Sequence, residues 1–126
     1  MKIFNLLLRI AVSVILLQTL YFKFTGQPES IYIFETLGME PWGRIGSGIV
    51  ELVASVLLLL PTTIGLGALL VLAVMSGAVF MHLTKLGIEV QGDGGTLFYM
   101  AIFCFLSSLY LAWVYRKQIP VIKRFF

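Results

Sequence analysis

Charge is what this sequence has least of: Asp, Glu, Lys and Arg together make up 12% of its 126 residues, and histidine occurs once, at His82. A chain so poor in charge cannot cover a water-facing surface in the ordinary way. Cysteine also occurs once, at Cys104, which excludes an internal disulfide and C-x-x-C thiol exchange. No Ser-His-acid grouping, paired carboxylates or phosphate-cradling glycine loop is visible, so hydrolytic and nucleotide chemistry have no apparent apparatus. The outer carboxylates Glu89 and Asp93 lack ligand spacing with His82, and no metal site is expected. The net charge of +3 comes from basic residues gathered towards the termini, not interleaved with aromatics in a stripe, which argues against a nucleic-acid partner.

What is abundant is hydrocarbon. Apolar residues make up 60% of the chain and the mean hydropathy is +1.01, values of the membrane class. Four apolar runs approach the roughly 20 residues needed to cross a hydrocarbon core of about 30 Å as a helix. They predict an all-α, integral membrane four-helix bundle in a single domain over 1–126, with spans at about 3–24, 42–60, 64–83 and 97–115. Lys2 followed by Ile3 to Leu8 resembles the opening of a signal peptide, but Arg9 interrupts the run and no small-x-small site follows Leu20. The first span is therefore expected to be retained.

Between the first two spans, TGQPESIYIFETLGMEPW is too mixed to cross a membrane. Pro28 suits a first helical position, Gly38 suits a helix C-terminus, and Ile31, Phe34 and Leu37 recur at helical spacing. A short interfacial amphipathic helix is expected at about 28–37. The turn Pro61 to Thr63 is so short that the second and third spans must be antiparallel neighbours. Gly46, Gly48, Gly65 and Gly77 offer close helix contacts. Asp93-Gly94-Gly95 signals a turn, after which Thr96 can cap the fourth span. The sequence closes with a basic, aromatic tail, VIKRFF, suited to a membrane surface.

One side of this arrangement carries Lys2, Arg116, Lys117, Lys123 and Arg124. The other carries Lys23, Arg44 and Lys85 among five acids. Because the side with excess Lys and Arg stays cytoplasmic, both termini are expected inside.

Two charges stand where lipid should be. In GRIGSGIVELVASVLLLLP, residues 43–61, Glu51 sits near the middle, with Ser47 and Ser55 four residues to either side and Arg44 seven before it. In the first span Arg9 and Ser13 share a face to which Lys23 returns. An ionised group at a span's centre costs about 2.5 to 3.5 kcal/mol on insertion scales unless paired or hydrated. At 1.5 Å rise per residue, Arg9 lies roughly 9 Å and Glu51 roughly 14 Å from the same end of their helices, a gap an Arg side chain bridges. The expected pair is Arg9 with Glu51. Such a pair can simply hold two helices together, or it can line a cavity opening past Ser47 and Arg44 towards Lys23 and His82. Cys104 reads as a small packing residue.

Arg9, Lys23-Phe24-Thr25-Gly26, Leu37-Gly38 with Pro41, Gly48-x-x-Glu51, and Gly77-Ala78 followed by His82 occur in an order and spacing that resembles the DoxX-like family over roughly residues 5 to 115. The resemblance implies a multi-pass protein of the bacterial inner membrane with both ends cytoplasmic. The family includes a quinone-reducing thiosulfate dehydrogenase subunit, a maturation factor for a periplasmic amine dehydrogenase, and animal membrane chaperones. Membership alone does not decide between enzyme and non-enzyme.

Three functional classes follow. The first is a non-enzymatic accessory or assembly protein with a polar intramembrane site formed by Arg9, Ser13, Lys23, Arg44, Ser47, Glu51, Ser55 and His82, with a protein partner or a second copy bound in the bilayer and no cofactor. The second is the membrane subunit of a quinone-linked oxidoreductase, in which Arg9, Glu51 and His82 hold a quinone head group and a further subunit supplies electrons. The third is a small-solute carrier, for which four helices leave little room without oligomerisation.

Overall fold

A computed structural model describes residues 2–90 and 92–119. Among these the chain forms five α-helices and no strand: α1 (Lys2–Thr25), α2 (Pro28–Thr36), α3 (Trp42–Leu59), α4 (Ile64–Met81) and α5 (Thr96–Val114). A π-helical turn, His82–Leu86, extends α4, and a 3-10 turn, Arg116–Gln118, follows α5. With that turn counted in α4, the four long helices have 24, 18, 23 and 19 residues, or roughly 27 to 36 Å of rise, enough to match a hydrocarbon core. The all-α membrane bundle expected from the sequence is what the structure shows. The basic tail at 121–126 lies outside the described residues.

The helix ends follow from local chemistry. α1 stops at Gly26, whose φ of +67° only glycine adopts cheaply, and Gln27 N–H returns to the Phe22 carbonyl at 3.1 Å. Pro28 then opens α2. α2 closes in the same way at Gly38, φ +73°, where Met39 N–H bonds the Phe34 carbonyl and Gly38 N–H that of Glu35. The α3–α4 turn is fastened by Thr63 Oγ1, which donates to Leu57 O at 2.8 Å. Gln118 reaches back to the same corner, donating to Pro61 O and accepting from Gly65 N–H. At the start of α5 the cap is Asp93 and not Thr96. Its Oδ1 accepts from the N–H groups of Val90 and Gly95, and Oδ2 from Leu97.

α1 packs on α3, α3 on α4 and α4 on α5, while α1 and α5 close the ring far more sparsely. Fully buried Val12, Leu58, Ala68, Val71 and Leu111 fill the end that carries the α1 N-terminus. Small residues set the spacing there: a Cβ on Gly67 would stand 2.7 Å from Leu58 N, and one on Gly65 would overlap the Tyr115 carbonyl oxygen. Gly48 has another use, leaving room for the Phe24 ring, whereas Gly46 and Gly77 face open space. The outer faces expose Leu7, Val14, Ile49, Val56 and Leu106. An apolar surface of that extent on every side is stable only against lipid. The protein is a multi-pass membrane protein.

Candidate functional site

At the other end, the end roofed by α2, the bundle is hollow. Helices α1, α3, α4 and α5 surround a cavity of about 620 Å³ beneath α2, within the range that holds a small organic ligand. Its walls are mostly apolar, with buried Met75, Ala101 and Cys104, half-buried Met100, and Phe34 of α2 among them. Thr19, Lys23, Ser47, Glu51 and His82 are among its polar residues, as are Glu29 and Ser30 of α2 and Asp93 of the loop before α5.

Glu51 lies on the inward face of α3 and is 3% exposed. Its partner is Lys23, whose Nζ stands 2.6 Å from Oε1. The pairing expected between Arg9 and Glu51 does not form. Arg9 instead donates from Nε to Leu58 O at 2.7 Å and from Nη2 to Leu59 O at 3.0 Å. These carbonyls belong to the last turn of α3, where no intrahelical donor is left for them, and a cation there also meets the negative end of the helix dipole. The Arg side chain reaches towards the end of α3 and not towards its middle, a direction that axial depth alone does not fix.

Lys23 is itself held. Arg44 Nη1 donates to the Lys23 carbonyl, and the rest of the guanidinium is fixed by Glu40, with Nε 2.9 and 3.0 Å from the two carboxylate oxygens. The first turn of α3 thus anchors the last turn of α1, and the Lys23 ammonium also lies 5.9 Å from the centre of the Phe34 ring. On the second Glu51 oxygen the only hydrogen bond among the described residues comes from Thr19 Oγ1 at 3.4 Å. That hydroxyl has one proton and a better acceptor in Leu16 O at 2.8 Å. Oε2 is therefore the less engaged side of the carboxylate.

His82 is buried where α4 passes into its π-helical turn, a distortion frequent at functional positions. Nδ1 lies 2.9 Å from Gly87 O. A carbonyl can only accept, so Nδ1 carries the proton in that bond, and in the neutral ring Nε2 is left as an acceptor. Phe98 meets the ring edge-on at 5.6 Å.

The cavity thus brings together Lys23, Ser47, Glu51 and His82 of the residues singled out in the sequence. Arg44 stands behind Lys23. Arg9 belongs to the packed end, Ser55 donates back to Glu51 O at 2.9 Å within its own helix, and Ser13 is buried without a hydrogen-bond partner among the described residues. Thr19 was legible as the residue four before Lys23 on the same face, but nothing in the sequence marks the cavity wall formed by Met75, Met100 and Cys104. Asn5, which accepts from Tyr110 Oη at 2.9 Å and donates to Tyr115 Oη at 3.3 Å, ties α1 to α5 away from the cavity. No group of three or more described His, Cys, Asp or Glu side chains is gathered closely enough to hold a metal ion.

Chemically, the site offers a cation, a carboxylate with one less engaged oxygen, a hydroxyl and an imidazole in the lining of one mostly apolar chamber. A comparison with curated proteins returns no match, and neither does one with solved structures. The family model described as DoxX matches residues 4–84, a stretch that contains α1 to α4 with Lys23, Glu51 and His82, and the chain therefore belongs to the DoxX family.

Proposed function

We propose that this protein is an accessory protein of the bacterial inner membrane, with both termini cytoplasmic, whose chamber holds one amphiphilic small molecule. The head group carries carbonyl or hydroxyl oxygens and lies against Lys23, Glu51 and His82, with the apolar part against Met75, Met100 and Ala101. The observation that carries this reading is the chamber itself: about 620 Å³ of mostly apolar space enclosing an ion pair that a purely structural role would pack against solid core. Lys23 donates to a carbonyl oxygen, while Glu51 Oε2 and His82 Nε2 accept from a hydroxyl. Native mass spectrometry of the protein in lipid discs, wild type beside Glu51→Gln, tests it. A bound species in wild type that is weakened in the variant supports the reading, and a bare wild-type mass refutes it.

A second reading, the membrane subunit of a quinone-linked oxidoreductase, is favoured by one observation: Glu51 and His82 line the same chamber. A quinone head group has two carbonyl oxygens that become hydroxyls on reduction, and those two side chains are able to accept or return the protons. Electrons would come from another subunit. If Glu51→Gln and His82→Gln left quinone turnover by the native membranes unchanged, this second reading would fail while the binding role stood.

A further inference from the structure

Among the described residues, the hydrogen bonds and ring contact that tie α1 to α5 lie at one end. There Asn5 bonds Tyr110 and Tyr115, and the Phe4 ring meets Tyr110 edge-on at 5.7 Å. Elsewhere the two helices touch sparsely, and a groove on the outside of the bundle is lined by Ala11, Val14 and Ile15 of α1 and by Tyr99, Met100 and Phe103 of α5. Val14, Tyr99 and Phe103 are exposed. Ile15 and Met100, together with Thr96, line both this groove and the chamber, so that only this thin seam separates the two.

The groove is at the depth of hydrocarbon. Val14 is about 18 Å along α1 from Lys2, near the middle of the span, and Phe103 is about 10 Å along α5 from Thr96. Its lining is apolar apart from the hydroxyls of Tyr99 and Thr96, and Thr96 Oγ1 donates to the Asp93 carbonyl at 2.8 Å. The alternative way into the chamber, under α2, passes Glu29, Ser30 and Asp93. An apolar tail crosses a methionine and isoleucine seam without meeting a charge, whereas passage under α2 would take it past carboxylates that prefer water.

We propose that the α1–α5 groove is a lateral portal through which the chamber exchanges its ligand with the lipid phase of the bilayer, Ile15 and Met100 forming the seam that yields. This rests on the reading of the chamber as an amphiphile site. It names the source of the ligand as the membrane interior and not the aqueous side.

The test uses the full-length protein in lipid vesicles and a quinone bearing a decyl tail as probe, with both the final occupancy and the rate of loading recorded. Val14→Trp and Ala11→Phe narrow the groove, Phe103→Ala widens it, and none of the three lines the chamber. Val53→Trp, on the exposed face of α3, is the size-matched control. Loading and release slowed about tenfold by Val14→Trp and Ala11→Phe, quickened several-fold by Phe103→Ala and unchanged in the control, all at wild-type final occupancy, support the portal. Misfolding cannot give rates that move in opposite directions. Rates unchanged in all three groove variants at normal occupancy overturn the portal and assign access to the α2 end, leaving the binding reading intact. Failure of the wild type to take up the probe in any amount overturns both.

Discussion

Lys23 Nζ and Glu51 Oε1 meet at 2.6 Å across the α1–α3 interface, and both side chains border the chamber. The pair is held from behind: Arg44 binds the Lys23 carbonyl, and Glu40 holds Arg44. Removing one charge should be worse than removing both, because a lone buried charge has no compensation. Lys23→Met is expected to cost about 3 to 5 kcal/mol, and Lys23→Met with Glu51→Gln to recover much of that loss. Thermal unfolding in a fixed detergent measures it, and additive losses in the double variant would contradict the coupling.

Arg9 should behave differently. Its two bonds cap α3 at Leu58 and Leu59, and charge-assisted bonds of this kind contribute about 1.5 to 3 kcal/mol each. Arg9→Met is expected to lower the unfolding temperature while leaving the chamber's occupancy, read by native mass spectrometry, as in wild type. Loss of ligand at unchanged stability would show that Arg9 acts at the site after all.

That contrast marks how far the sequence could be read. Four spans, the short α2 and an inward-facing Glu51 all follow from hydropathy, proline and glycine positions and a charge in a greasy helix. Which cation meets Glu51 did not follow, because axial depth leaves open whether a long side chain points up or down its helix, and the unpaired carbonyls before Pro61 took Arg9. Nor could periodicity disclose the chamber. It depends on how sparsely α1 and α5 meet, a consequence of tertiary packing, and its methionine-rich wall looks in sequence like ordinary core.

The glycines divide into those that set helix spacing and those that do not. Gly67→Ala would push a methyl against Leu58 N at 2.7 Å and should cost about 1 to 3 kcal/mol by forcing α3 and α4 apart. Gly46→Ala meets nothing within 4 Å and lies inside α3, so it should be neutral or stabilise by up to about 1 kcal/mol through helix propensity. Unfolding of the two variants side by side checks the sign of each.

Asp93 makes the loop before α5 sensitive to acid. Burial pushes its carboxyl upward as the largest single influence, but the N–H groups of Val90, Gly95 and Leu97, with the electrostatic influence of His82, together outweigh it and hold the carboxyl below its usual value. A depressed folded-state pKa stabilises above the unfolded value and loses that contribution as pH falls through the folded one. The N-terminus of α5 should therefore be unaffected between pH 7 and 5 and loosen below about pH 4. Hydrogen exchange at Gly95 and Leu97 reads this, with Asp93→Asn as the reference whose protection, corrected for intrinsic rates, should not change over that range.

The central claim is that the hollow end of the bundle is a binding chamber, and the most direct measurement is the difference in intact mass, in lipid discs, between wild type and Ala101→Phe. Ala101 lies on the chamber wall and is buried, so the phenyl ring takes up the space a ligand needs. A bound small molecule is expected on the wild type and none on Ala101→Phe, with both proteins folded. Two bare masses, or the same bound species on both, would contradict it.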